Sequence, residues 1–153
     1  MSEVVRTRLV SAPGERVWAA LADYAAISAW AANVDHSSLT TRAVDGTQAG
    51  LGAVRRIQTG RRVILERVVL WGEPTELAYS LEGLPPVVRS ARNRWLLKPV
   101  GPNVTEVSLT TTLDCGPRPP QQLIARLVAR RLAAESDTLL AGLASSLEET
   151  THV

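Results

Sequence analysis

The chain has 153 residues, of which 45% are hydrophobic and 21% charged, a composition typical of one globular domain with its own core. A net charge of +2, without runs of like charge, gives no indication of a nucleic-acid partner. No stretch approaches the ~18 apolar residues of a membrane-spanning helix, and the first residues resemble neither a signal nor a transit peptide. We therefore expect one cytoplasmic domain over residues 1–153, a monomer or homodimer with no nucleic-acid and no membrane partner.

The first part of the sequence predicts one strand and two short helices. Residues 3–10 alternate in polarity, as half-buried strands do. Ser11, Ala12 and Pro13 form a helix-start signal, because proline is favoured in the first helical turn. The buried stripe of this helix is expected to contain Val17, Trp18 and Leu21. A second short helix is expected around residues 25–32.

The middle of the sequence predicts a series of antiparallel strands. Apolar segments alternate with turns rich in glycine, proline, asparagine and aspartate. The expected strands cover residues 34–43, 51–59, 61–71, 76–82, 87–98 and 104–114. Because the connections are short, we expect hairpins between neighbouring strands and no crossovers.

The last thirty residues predict one long helix from Pro120 to about Glu149, interrupted only by Gly142. At 100° per residue, its apolar face contains Ile124, Leu127, Val128, Leu132, Leu139 and Leu143. The opposite face contains Arg126, Arg130, Ala133 and Asp137. Three polar residues project onto the middle of the apolar face: Arg131, Glu135 and Thr138. This pattern favours a helix that covers a pocket over one that covers a dry core.

This order of elements predicts an α+β fold. A helix of this length must bury its apolar face against a curved antiparallel sheet of about six to seven strands. The sheet is expected to wrap around the helix, with the two short helices after the first strand closing one end. Any gap between helix and sheet then becomes a cavity.

Three motifs accompany this order of elements. They are Ser-Ala-Pro-x-x-x-Val-Trp at 11–18, Gly-x-Gly-Ala-Val-Arg at 50–55 and Glu-Arg-Val-Val-x-Trp-x-x-Pro-x-x-Leu-x-Tyr at 66–79. With the terminal helix, they resemble the START-like (helix-grip) superfamily and its bacterial polyketide cyclase/dehydrase-type group, often called SRPBCC. The resemblance covers about residues 3–148 and leaves a short C-terminal tail. It implies a helix-grip domain but no particular activity, because this fold hosts lipid carriers, hormone receptors, aromatases/cyclases and lyases.

Alternation along the strands predicts which side chains point inward. The inward set of three strands includes Tyr79, Asn93, Trp95 and Leu109. Both faces of residues 61–71 are apolar, so alternation does not decide whether Glu66 points inward. In residues 34–43, either Asp35 or His36 faces inward.

The resemblance adds a set of cavity residues. In START-like plant hormone receptors the glutamate that matches Glu66 lines the ligand cavity, which implies that Glu66 points inward. The same matching places on the cavity wall Ile57, Thr59, Tyr79, Asn93, Leu127, Arg131 and Glu135. The helical projection indicates Arg131 and Glu135 independently.

Two interpretations of Arg131 and Glu135 stay open. Because they are four residues apart, they can form an ion pair on the helix surface. Alternatively, they face the cavity together with Glu66, since buried charges need partners. Arg131 would then be neutralised by two carboxylates, and the cavity would favour a neutral or cationic polar group over a strong anion.

The remaining reactive side chains are expected to be structural. A single cysteine, Cys115, excludes an internal disulfide and a multi-cysteine metal site, and no clear base is available to activate it. His36 is expected in a strand and His152 in the C-terminal tail. No phosphate-loop, zinc-protease or dinucleotide motif is present, so we expect no cofactor and no metal.

These features predict the binding of a small, largely apolar molecule (a lipid, polyketide or aromatic compound) in an internal cavity of at least ~300 Å³. The alternative is a polyketide aromatase/cyclase or dehydratase, in which Glu66 or Glu135 serves as the acid/base. Arg131 and Tyr79 would then polarise carbonyl groups. A third hypothesis is a ligand-dependent protein surface at the loop near residues 83–88.

Overall fold

The structure, a computed structural model, describes residues 2–151, and for residues 149–151 the backbone only. Its strands are β1 (Ser2–Val10), β2 (His36–Thr41), β3 (Val54–Thr59), β4 (Arg62–Gly72), β5 (Glu76–Glu82), β6 (Ser90–Gly101) and β7 (Val104–Asp114). Its helices are α1 (Gly14–Ala22), a 3-10 segment (Tyr24–Ala29) and α2 (Pro119–Thr151). His152, expected in a tail, lies outside the described residues.

The seven strands form one antiparallel sheet in the order β1-β7-β6-β5-β4-β3-β2. Strands β2 to β7 follow each other as hairpins, whereas β1 pairs with β7, so that Arg6 lies opposite Leu109. Helix α1 and the 3-10 segment connect β1 to the far edge of the sheet. The predicted α+β helix-grip architecture is therefore confirmed.

The strand faces follow the predicted period of two. On β6 the buried residues are Ala91, Asn93, Trp95 and Leu97, and their neighbours are exposed. Strand β7 buries Thr105, Val107, Leu109, Thr111 and Leu113 in the same way. Several strand boundaries differ from the prediction. Residues 42–53 form a loop, so that β2 ends at Thr41 and β3 begins at Val54, and β6 covers Ser90–Gly101 where residues 87–98 were predicted.

The buried face of α2 differs from the predicted one. The side chains that it buries are Ala125, Ala129, Leu132, Ala133, Ser136, Leu140, Leu143, Ala144 and Leu147. Ile124 and Leu127 are exposed, and Ala133, predicted to face outward, is buried. The small alanine side chains allow the helix to lie close to β1 and β7, which are its main contacts. Close packing of small residues has therefore prevailed over burial of the largest apolar ones.

Gly142 marks the tightest approach of α2 to the rest of the chain. A Cβ atom at this position would overlap the carbonyl oxygen of Trp30, which follows the 3-10 segment. The absence of a side chain at Gly142 thus allows α2 to contact Trp30 and Ala31, which follow this segment. Among the described residues, no helix is long and apolar enough to cross a membrane.

Candidate ligand-binding site

An internal cavity lies between the concave face of the sheet and the middle of α2. Its apolar wall includes Ile27 in the 3-10 segment, Ile57 on β3, and Leu132 and Leu139 on α2. The volume of this cavity is about 60 Å³. That is room for about two water molecules, whereas sites for small molecules have roughly 300–1,000 Å³. The described residues therefore leave a space at the predicted place, but it is far smaller than the predicted minimum of ~300 Å³.

A larger concavity of about 870 Å³ lies on the outer side, between Trp30 and the stretch of α2 around Gly142. It is an open surface groove, and its one charged group, Asp137, pairs with Arg6. Thr138, predicted on the apolar face of α2, lines this outer groove. Because it is open to solvent and Asp137 already has a partner, the groove is a weaker candidate than the internal cavity.

A buried ion pair adjoins the internal cavity and reaches its wall through Glu66. Strands β3 and β4 place Arg55 directly opposite Glu66. Nε and Nη2 of Arg55 each lie 2.8 Å from Oε1 of Glu66, and the two side chains are only 3% and 7% exposed. Nη1 of Arg55 donates to the carbonyl oxygen of Tyr24 at 3.0 Å, and the Tyr24 hydroxyl donates to the carbonyl oxygen of Glu66 at 2.8 Å.

Two tyrosine rings enclose the guanidinium group. Its central carbon lies 4.0 Å from the ring centroid of Tyr24 and 4.7 Å from that of Tyr79, which are cation–π distances. Nε1 of Trp95 donates to the Tyr79 hydroxyl at 3.1 Å. Arg55 is thus held in place by a carboxylate, a carbonyl and two aromatic faces.

Burial shifts the ionisation of this cluster. Burial raises the pKa of Glu66. The charge of Arg55 acts in the opposite direction, and the charge of the neighbouring Glu135 raises this pKa further. Burial also raises the pKa of Tyr79 to about 12 and raises that of Tyr24. Burial alone would lower the pKa of Arg55, but Glu66 and the two tyrosines outweigh it, so the guanidinium stays charged.

Further polar side chains surround the cavity. Asn93 on β6 lies opposite Thr111 on β7, and the Thr111 hydroxyl donates to Oδ1 of Asn93 at 2.6 Å. Glu135 reaches the cavity from α2 and has no ion-pair partner within residues 2–148. Oδ1 of Asn33 is buried without a hydrogen-bond partner in that part of the chain. Both Glu135 and Oδ1 of Asn33 can accept a hydrogen bond from a ligand.

The structure brings six of the predicted site residues together around the cavity. They are Ile57, Thr59, Glu66, Tyr79, Asn93 and Glu135. Trp95 and Leu109 are buried but do not line it. Leu127 and Arg131 were placed wrongly on the wall, because the close approach of α2 turns both side chains to solvent.

Four predictions outside the cavity can also be compared with the structure. Neither interpretation of Arg131 with Glu135 holds as stated, since Arg131 is exposed and the described ion pairs do not include this one. Asp35 and His36 are both exposed, and Oδ2 of Asp35 accepts from the Gly60 amide. Cys115 is buried in a hydrophobic cluster, and burial raises the pKa of its thiol.

The sequence interpretation missed Arg55, although the signal was present. The turn at Gly60 and Arg61 makes Thr59 and Arg62 partners, and counting back along the hairpin pairs Arg55 with Glu66. An arginine opposite an inward glutamate predicts a buried ion pair. Tyr24 had no such signal, because its position depends on the path of the 3-10 segment.

The family model described as polyketide cyclase / dehydrase and lipid transport matches residues 1–148 of this chain. The chain belongs to this family. No curated protein shows significant sequence similarity to it.

Several solved structures of similar fold agree with this family membership. The Zhui aromatase/cyclase from Streptomyces sp. R1128 is 17% identical with a TM-score of 0.79, over 98% of this chain and 95% of its own. The di-domain ARO/CYC BexL from the BE-7585A biosynthetic pathway is 20% identical with a TM-score of 0.81, and the match covers 100% of this chain and 48% of BexL. A START superfamily protein from Mycobacterium smegmatis is 18% identical with a TM-score of 0.74, and the match covers 97% of this chain and 98% of that protein. At these identities the likeness shows the fold alone.

Proposed function

We propose that this protein binds a small, largely apolar molecule that presents a hydrogen-bond donor to the cavity between the sheet and α2. The observation that carries the proposal is that Glu66, which is held by the buried Arg55, and Glu135 line the same internal space. Charges are expensive to bury, and replacing such a pair by apolar residues is often neutral or stabilising. Family membership supports the same class of function.

The charges around the cavity favour a particular polar group. Arg55 is neutralised by Glu66, so Glu135 supplies the one charge without a partner in the described part of the site. The buried Oδ1 of Asn33 is also an acceptor. A phenol, an alcohol or an ammonium group would satisfy these acceptors, whereas a fatty-acid carboxylate would meet another negative charge.

Binding requires the cavity to widen. Helix α2 packs mainly on β1 and β7, while the cavity lies towards β3, β4 and β5 and is covered by side chains such as Leu139. Turning a few side chains outward enlarges this space without separating α2 from the sheet. The ligand-bound state is therefore a minor conformation of the free protein that the ligand selects.

The first experiment is native mass spectrometry of the purified protein, followed by thermal-shift titration with a hydroxylated aromatic, an aromatic amine and a fatty acid. We expect the first two ligands to raise Tm and the fatty acid to have a smaller effect. Glu135→Gln should weaken binding of the amine about tenfold, because it removes the unpaired charge. The matched control, Asp137→Asn, changes an exposed carboxylate on the same helix and should have no effect.

Two results would contradict the proposal. One is a protein that carries no co-purified molecule and shows no shift with any of the three ligands. The other is equal loss of affinity in Glu135→Gln and Asp137→Asn, which would mean that the effect is not located in the cavity.

A second candidate function is acid/base catalysis on a poly-β-keto or hydroxy substrate. It is favoured by the two carboxylates that face one cavity and by the raised pKa of Glu66, as a general acid requires. Glu66→Gln should then abolish turnover of a poly-β-ketone mimic and leave its binding intact. Turnover that survives this change and Glu135→Gln would exclude both carboxylates as the acid/base.

A further inference from the structure

The first half of α2 exposes large apolar side chains on the side that faces away from the sheet. Leu123 is 57% exposed, Leu127 is 56% exposed, and Ile124 is 36% exposed. The opposite side of the same turns is buried through Ala125 and Ala129. These turns of α2 are therefore apolar on both sides, and only one side has a partner within the described chain.

Arginines surround the exposed apolar side chains. At 100° per residue, Arg126 and Arg130 lie on one flank of Leu127 and Arg131 on the other, and all three are exposed. Residues 115–134 contain four arginines and no aspartate or glutamate. We call the surface made by Leu123, Ile124, Leu127 and these three flanking arginines the basic apolar face.

We propose that the basic apolar face is a docking surface for an anionic lipid membrane. Its leucines would enter the boundary between headgroups and acyl chains, as the apolar side of an interfacial helix does. The long arginine stems can lie along this boundary while their guanidinium groups pair with lipid phosphates. The proposal concerns the outer side of α2 and does not depend on what the cavity binds.

Charge excludes the simplest alternative occupant. A second copy of the chain would bring the same arginines together across a symmetric contact, and like charges repel. An acidic protein would also complement the arginines. A helix is a convex ridge, however, and a protein partner would need a groove matched to its leucines, whereas a bilayer adapts to any ridge.

The face adjoins the cavity along the helix. Leu132 and Glu135, which line the cavity, follow Leu127 and Arg131 within the next turns of α2. The loop at residues 83–89 packs beside this part of the helix through Leu84 and Val88. A protein docked by this face would hold the cavity end of α2 next to the bilayer.

The test is co-sedimentation of the full chain with vesicles. Vesicles of equal parts phosphatidylglycerol and phosphatidylcholine should bind the protein, and pure phosphatidylcholine should bind it far less. Added salt should weaken the binding. Each arginine near an anionic surface is worth roughly fivefold in affinity, so Arg126→Gln with Arg130→Gln should reduce binding about 25-fold. Leu123→Ser with Leu127→Ser should also abolish most of it.

The controls change matched residues elsewhere on the surface. Leu9→Ser removes an exposed leucine from β1, and Arg61→Gln removes an exposed arginine from the turn after β3; neither should alter vesicle binding. Binding that is absent with phosphatidylglycerol, or unchanged in both α2 double variants, would overturn the proposal. The proposal would also be overturned if the protein bound an acidic polypeptide such as polyglutamate but not vesicles, and if the two α2 double variants lost this binding.

Discussion

Arg55 satisfies its charge with groups from three parts of the chain: Glu66 on β4, the Tyr24 carbonyl and the Tyr79 ring. The two bonds to Oε1 of Glu66 come from two nitrogens of one planar group, so neither partner can move alone. Removing one partner would leave the other charge buried and unpaired, which is far more costly than losing a surface ion pair.

This arrangement predicts strong coupling between the two residues. Glu66→Leu or Arg55→Met alone should lower the free energy of unfolding by about 3–5 kcal/mol, because each leaves a buried charge. The double variant, Arg55→Met with Glu66→Leu, leaves no unpaired charge and should cost less than either single change. Urea unfolding measures all three.

The exposed pair of Arg67 and Glu82 is the matched control for this comparison. Its side chains are about half exposed, so Glu82→Gln should change stability by less than about 1 kcal/mol. A double variant at Arg55 and Glu66 that loses as much stability as the two single changes together would contradict the coupling.

The tyrosines give an independent measurement of burial at the site. The chain contains two tyrosines, and both have raised pKa values, that of Tyr79 being about 12. The folded protein should therefore show no tyrosinate absorbance at pH 10, where exposed tyrosines are about half ionised. Because the unfolded chain loses these protons first, stability should fall as pH rises from 10 towards 12. An absorbance step at pH 10 with unchanged circular dichroism would show that the site is open to water.

Helix α2 shows which parts of an element a sequence can predict. Strand faces were predictable, because a strand alternates with a fixed period, and the inward positions of Tyr79, Asn93 and Trp95 follow from it. The buried face of α2 was not predictable in this way, because the first half of the helix carries leucines on one side and alanines on the other. Which side is buried depends on how close the sheet allows the helix to come, and that distance is a property of the folded protein.

The contact at Gly142 predicts an unusual response to alanine. In an exposed helix interior, replacing glycine by alanine stabilises by about 1 kcal/mol. Here the added Cβ would overlap the backbone of Trp30, so Gly142→Ala should lower the free energy of unfolding by about 1–3 kcal/mol. The measurement is thermal unfolding of Gly142→Ala beside Ser145→Ala. Ser145 is exposed on the same helix, so its replacement should leave the stability nearly unchanged. A stabilised Gly142→Ala would mean that α2 does not lie this close.

At the scale of the whole molecule, helix packing and the cavity are centred on different parts of the sheet. Helix α2 rests on β1 and β7, and the cavity lies towards β3, β4 and β5. The sequence predicted that such a gap exists, but its volume of about 60 Å³ depends on how Ile27, Leu132 and Leu139 fill it. No pattern in the sequence specifies these rotamers.

This separation predicts that the cavity can be enlarged selectively. Leu139→Ala removes a side chain from the cavity wall and should cost about 2 kcal/mol of stability while strengthening the binding of phenol. Leu140→Ala, which removes a leucine that is buried away from the cavity, should cost as much or more without any gain in binding. Calorimetric titration and urea unfolding of the two variants provide the comparison. Equal phenol binding in both would mean that Leu139 does not restrict the site.

The pairing of β1 with β7 has a consequence for synthesis on the ribosome. Thr7 and Ser108 face each other in the sheet although they are 101 residues apart in the chain. At roughly 5–20 residues per second, β1 waits about 5–20 seconds for its neighbour to emerge. Helix α2, which covers both strands, emerges later still. The nascent chain can form the hairpins from β2 to β6 in order, but its first strand stays without a partner until β7 has emerged.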